Sequence, residues 1–190
     1  MIIMFWKVFV NFLTSLRLIL GIFFAYIIFF ENNFLLPCLI VYFIAISTDF
    51  LDGKLARYYN ALSSEGAIFD VLVDFLFIII TCLAMYLKDM LPFFIIFVIF
   101  FKLIEFFITS KIAKKKYKSG KNQEKNVFLY DPFGHIVALM FYALPLIGIL
   151  MFSLLPNETF SIIILIICII ITIMAISSST IRIYGIAKLK

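Results

Sequence analysis

Residues 49–74 read DFLDGKLARYYNALSSEGAIFDVLVD, and this stretch sits between long apolar runs. Within it Asp49, Asp52, Gly53, Ala56, Arg57, Gly66, Asp70 and Asp74 spell D-x2-D-G-x2-A-R-x8-G-x3-D-x3-D. An ionisable residue at membrane depth is costly and marks a functional position by default. At ordinary residue usage, eight fixed positions coincide about once in 10^10 random starts.

The spacings carry the chemistry. Asp49 and Asp52 are three apart, near the end of one apolar run, and Asp70 and Asp74 are four apart, near the start of the next. Each spacing puts its pair on one face of a helix. Two helix ends joined by a short turn would gather all four carboxylates, which repel one another unless a cation neutralises them. Oxygen-only ligands favour a hard divalent ion, Mg2+ or Mn2+, over zinc. No His or Cys falls in the stretch.

Working outward, the 190 residues are 65% hydrophobic and only 14% charged, more apolar surface than a soluble domain of this size can bury. The expectation is an all-α integral membrane protein forming a single domain over 1–190. A spanning helix needs about 20 mainly apolar residues. Six stretches qualify, at about 11–30, 34–51, 66–87, 91–110, 131–153 and 159–181. Residues 1–10 (MIIMFWKVFV) are too short to span and carry Trp6 and Lys7, which suits a short interfacial helix. They lack the pattern of a cleaved signal peptide, so the segment is expected to be retained. Cys38, Cys82 and Cys168 lie far apart in apolar runs and read as small buried hydrophobes.

Six spans put both termini and the even-numbered loops on one side. That side holds Lys7, Lys54, Arg57, the seven lysines between Lys111 and Lys125, Lys188 and Lys190, and the other side holds only Lys88. The positive-inside rule then makes both termini and the Asp cluster cytoplasmic, in the cell membrane. The lysine-rich 111–127 segment reads as a topology signal and a contact for anionic headgroups, not as a nucleic-acid surface.

The motif resembles the signature of the CDP-alcohol phosphatidyltransferase family, whose members join a lipid to a polar head group from a CDP-activated lipid. Asn11-Phe12-Leu13-Thr14-Ser15-Leu16-Arg17 is similar to the N-x-L-T-x-x-R segment that opens the family's first membrane helix. The resemblance implies metal ligation by Asp49, Asp52, Asp70 and Asp74, with two Mg2+ or Mn2+ ions and Asp74 as the catalytic base. It implies CDP-lipid contacts from Asn11, Thr14, Gly53, Ala56, Arg57, Ser63 and Gly66, and a homodimer. The donor would be CDP-diacylglycerol or CDP-archaeol, and the acceptor a small polar alcohol: glycerol 3-phosphate, inositol phosphate or serine. Gly53 and Gly66 allow close approach of ligand and backbone, and Arg57 can fork onto phosphate oxygens.

The chain departs from some relatives at Asp70-Val71-Leu72-Val73-Asp74-Phe75, where glycerol-phosphate users often carry D-P-x-A-D-K. A phosphorylated acceptor needs a basic pocket, which Lys102, Lys111 and Arg182 could supply. Lys102 could equally reach the interface or pair with Glu105. His135 fits helix packing, an interfacial place or substrate contact. Two other classes compete: an intramembrane prenyltransferase, which usually has two Asp-rich clusters, and a divalent-cation transporter, which often has internal repeats. Here there is one cluster, and no repeat is evident.

Overall fold

The computed structural model describes residues 2–59, 64–119 and 132–188, and these contain helices and no strands. In chain order they are α1 (Ile2–Phe30), α2 (Leu35–Tyr58), α3 (Ser64–Tyr86), α4 (Phe94–Ser119), α5 (Pro132–Leu154) and α6 (Asn157–Lys188). Ser63 and the 120–131 end of the lysine-rich connection lie outside the described residues.

Helix α1 packs along both α2 and α3, while α6 packs on α4 and α5. The two groups meet through α3 with α4, α3 with α5, and α2 with α5. At the centre Phe24, Tyr42, Phe77 and Phe141 are almost completely buried. The phenyl ring of Phe77 tilts against both Tyr42 and Tyr142. Gly21 lets α1 approach α3 closely: a β-carbon there would stand 3.2 Å from the Phe77 ring.

Each helix turns one stripe inward at helical spacing, and several stripes change from apolar to polar along their length. In α2 the buried positions are Cys38, Val41, Tyr42, Ala45, Thr48, Asp52 and Ala56. In α1 they include Thr14, Arg17, Gly21, Phe24 and Ile28. In α6 they run Phe160, Ile164, Cys168, Ile171 and Ala175, then Ser178, Ser179 and Arg182. Steps of three and four keep such residues on one face. The polar ends of the stripes therefore converge at one end of the bundle, while the outer faces expose large hydrophobics such as Phe23, Phe43, Phe97 and Ile173. The protein is a multi-pass membrane protein.

One expectation is changed. Residues 2–10 are not a separate short helix but the opening turns of α1. No Pro or Gly interrupts 2–20, and Trp6 stacks on Tyr59 beyond the end of α2 with ring centroids 3.6 Å apart. At 1.5 Å per residue the 29 residues of α1 extend about 43 Å, beyond the roughly 30 Å hydrocarbon core. Among the described residues, five helices are long and apolar enough to cross a membrane, in α1, α2, α3, α5 and α6. Helix α4 has the length, 26 residues, but Lys102, Glu105 and the lysines from Lys111 onward break its apolar character.

The α3–α4 connection ends α3 in a Schellman motif. Met90 N–H donates to the Met85 carbonyl at 2.9 Å and Asp89 N–H to the Tyr86 carbonyl at 2.9 Å. Asp89 occupies the left-handed position, with φ 57°, where Gly is usual. Inside α5, Pro145 lacks the N–H that would bond the carbonyl one turn back. The next carbonyl, that of Tyr142, accepts a hydrogen bond from the Tyr42 hydroxyl of α2.

Candidate active site

The convergent polar ends build one cluster. Asp49 and Asp52 project from the last turns of α2, and Asp70 and Asp74 from the first turns of α3. Asp52 lies on the inward stripe of α2 and its side chain is 3% exposed. Asp49, one turn back and rotated about 60° around the helix, is 44% exposed. Helix α2 continues past Asp52 to Tyr58, so Gly53, Ala56 and Arg57 are helical rather than part of the turn.

Arg17 of α1 stands among all four carboxylates. Its Nη1 lies 2.9 Å from Asp49 Oδ1 and pairs with Asp74 Oδ1. Its Nη2 lies 3.0 Å from Asp70 Oδ1 and pairs with Asp52 Oδ2. The side chain is completely buried, and its Nε has no hydrogen-bond partner among the described residues. Thr14, one turn earlier, donates from Oγ1 to Asp52 Oδ2 at 3.0 Å. Asn11 is exposed at the same end of α1.

Carboxylate oxygens of Asp49, Asp70 and Asp74 lie within 4.8 Å of one another. Such an all-oxygen set suits a hard divalent ion. The surroundings of Gly53 suit a ligand as well. Among the described residues a β-carbon there would meet only Arg57 Nη2, at 3.6 Å, so no packing among them demands glycine. Arg57 is exposed and its Nε donates to the Gly53 carbonyl at 3.0 Å. Ala56 is buried on the inner face of α2, and Gly66 sits in the first turn of α3.

Asp49 and Asp74 also line a cavity of about 640 Å³ reaching between α2, α3, α4, α5 and α6. Lys102, Glu105 and Arg182 of α4 and α6 line the same cavity. Lys102 Nζ donates to Glu105 Oε2 at 2.7 Å and to Ser178 and Ser179 Oγ at 3.1 Å each. Arg182 donates from Nη2 to Ser110 Oγ at 3.0 Å, and its Nε is 3.9 Å from Glu105 Oε1. Its guanidinium lies over the Phe106 ring at 4.7 Å. Lys102 thus pairs with Glu105 rather than reaching out to the interface. Lys111 is exposed on α4 and is not among the cavity-lining residues; His135 does line the cavity.

Sequence reasoning did not assign Arg17, Glu105, Ser178 or Ser179 to the site. The signal for Arg17 was present: it falls on the 14-17-21-24-28 stripe of the first apolar run. A charge on an inward stripe needs a countercharge within the bundle. Glu105 and the two serines have the same explanation on α4 and α6.

A helical membrane bundle with a carboxylate cluster opening on an apolar-walled, partly basic cavity defines a class: multi-pass membrane proteins with an intramembrane site for charged groups. The family model for CDP-alcohol phosphatidyltransferase matches residues 7–183, and the chain belongs to that family. Comparison with curated proteins and with solved structures returned no match. Membership makes the protein a phosphotransferase that moves a phosphatidyl group from a CDP-alcohol in phospholipid synthesis, in a family that uses divalent metal.

Proposed function

We propose that this protein transfers the phosphatidyl group, or its ether-lipid equivalent, from a CDP-activated lipid to a small phosphorylated alcohol and releases CMP. The observation that carries the reading is the shared cavity. The Asp49 and Asp74 carboxylates lie on one wall, and the Lys102 and Arg182 cations on another. Lys102, Glu105 and Arg182 together carry one net positive charge, which favours an anionic acceptor group and disfavours a neutral polyol.

Asp49, Asp52, Asp70 and Asp74 would hold Mg2+ or Mn2+, as one ion or a pair. A metal held there would offset charge on the donor's pyrophosphate and on the departing CMP. Of the four, Asp49 and Asp74 line the cavity, and Asp74 lies deeper on α3. Asp74 takes the proton of the acceptor hydroxyl as its oxygen attacks the lipid-bearing phosphorus. The new P–O bond forms as the bond from that phosphorus to the pyrophosphate bridge oxygen breaks. Thr14 fixes the rotamer of Asp52, and Gly53, Ala56, Arg57 and Gly66 with Asn11 and Ser63 form the nucleotide side. The acceptor's phosphate is taken by Arg182, with Lys102 behind it and no part for Lys111.

The same reading makes the chain one domain with six crossings. Helix α4 spans with Lys102 and Glu105 turned inward and paired, the arrangement that makes intramembrane charges tolerable. The lysine distribution supports cytoplasmic termini and a cytoplasmic site in the cell membrane. A homodimer is carried over from the family. The donor lipid is diacylglycerol or archaeol.

CMP release by the detergent-purified protein tests the reading. CDP-diacylglycerol and CDP-archaeol are each supplied with Mn2+ or Mg2+ and with glycerol 3-phosphate, inositol 1-phosphate, serine or inositol. Release with a phosphorylated alcohol, abolished by chelator and restored by Mn2+ or Mg2+, is expected. Release with serine or inositol alone overturns the acceptor assignment.

A further inference from the structure

Arg17 is the charge at the centre of the aspartate cluster. It is completely buried and touches all four aspartates. The three carboxylates whose oxygens converge within 4.8 Å, those of Asp49, Asp70 and Asp74, each give one oxygen to its Nη atoms. The guanidinium therefore pairs with the same three carboxylates that could hold a divalent ion. An ion at coordination distance from them would sit beside a like charge in a poorly screened place. The guanidinium is also incompletely served where it lies, since Nε is buried without an acceptor. A permanent structural arginine is normally satisfied at all its donors.

We propose that Arg17 and the divalent ion are alternative counter-ions for the same carboxylates. Arg17 keeps the four aspartates assembled when no ion is bound and yields its place when one binds. Arg17 is thus a positioning residue: it holds the ligands of α2 and α3 against their mutual repulsion, so the site does not fly apart between metal loadings. Of the four carboxylates' charge one unit is offset by Arg17, so a strong attraction for a divalent ion persists while the guanidinium is seated. The inference rests on the metal-binding reading of the aspartates given above.

The opposite role, a fixed bridge that orients the ligands with the ion present, makes the opposite prediction for metal affinity. If the guanidinium holds the seat about nine-tenths of the time, the apparent metal affinity is reduced about tenfold. Replacing it by a neutral group removes that competition. Loss of a fixed bridge would instead loosen the ligands and weaken binding.

The experiment compares wild type, Arg17→Gln and Arg17→Lys, each purified in detergent with Mn2+ and then stripped. Mn2+ affinity is read from the loss of the free-ion signal in electron paramagnetic resonance, and apparent Tm is read with EDTA and with Mn2+. Arg17→Gln is expected to bind Mn2+ about tenfold more tightly than wild type. Its Tm should fall in EDTA and recover with Mn2+, while Arg17→Lys, which keeps the cation, stays close to wild type in EDTA. If Arg17→Gln unfolds on stripping, its recovery on Mn2+ addition and the behaviour of Arg17→Lys carry the test. Unchanged or weaker Mn2+ binding in Arg17→Gln, or a Tm loss that Mn2+ does not repair, overturns the inference. An absence of Mn2+ binding in wild type as well as in an Asp70→Asn control overturns the metal-site reading itself, a separate result.

Discussion

Replacing Lys102 by Met tests whether the polar knot between α4 and α6 is a structural unit. Lys102 Nζ places its three hydrogens on Glu105, Ser178 and Ser179. Methionine fills a similar volume and removes both the charge and the donors. Glu105 is then left buried without its ammonium partner, with Ser179 Oγ donating to it at 3.1 Å and the Arg182 Nε 3.9 Å away. Removing one partner of a buried ion pair costs about 3–5 kcal/mol, because the remaining charge is uncompensated. Arg182 offsets part of this, so the expected loss is about 2–3 kcal/mol. For a chain of this length that corresponds to about 5–10 °C in apparent Tm.

The assay is thermal unfolding of detergent-purified protein at one fixed scan rate, since membrane proteins seldom unfold reversibly. The companion variant is Lys102→Met with Glu105→Gln, which removes both charges and keeps an acceptor for Ser179. It should recover at least half of the lost Tm, because the penalty in the single variant comes from an orphaned carboxylate rather than from a lost attraction. A single variant within about 1 °C of wild type, or a double variant that loses the sum of both single changes, would refute the reasoning. Glu105 would then be served by water from the cavity, and Lys102 would be free for substrate.

Three other outcomes follow from the geometry. Asp74→Asn should keep CDP-lipid binding while turnover falls by about two to four orders of magnitude, the range typical of losing a general base; near-normal turnover removes Asp74 from that role. Gly53→Ala should raise Tm by about 2–4 °C, since a helical glycine costs about 1 kcal/mol against alanine and its β-carbon would meet Arg57 Nη2 only at 3.6 Å, yet raise KM for the CDP-lipid; an unchanged KM would mean that no ligand approaches this backbone. Asp89→Gly should raise apparent Tm by about 1–3 °C, because glycine adopts the left-handed position at φ 57° without a β-carbon penalty, and a decrease would show that the Asp89 side chain contributes more than its backbone costs.

Much of this architecture was legible because hydropathy and helical spacing act locally. Asp49 with Asp52, and Asp70 with Asp74, could be put on helix faces from spacing alone, and the two pairs do meet. Element ends were less legible. Residues 2–10 look interfacial by length, but nothing in the sequence stops a helix before Asn11, and the Trp6–Tyr59 stack that joins α1 to the end of α2 depends on tertiary packing. Helix α2 likewise runs through Gly53, because one helical glycine costs only about 1 kcal/mol and the bundle supplies more.

What spacing could not show was the choice of countercharge. Four aspartates on two helices announce a cation without saying whether it comes from solution or from the chain. Arg17 lies 32 to 57 residues away in sequence from the groups it pairs with, and only the packing of α1 along α2 and α3 brings it there. The Lys102–Glu105 pair at i,i+3 was visible, but Ser178, Ser179 and Arg182 join it from more than 70 residues on. In both places an inward stripe turned polar before its partners could be named. In a helical membrane protein, then, an isolated charge on an otherwise apolar stripe predicts a site, and finding its partner means searching the stripes of the other helices at the same depth.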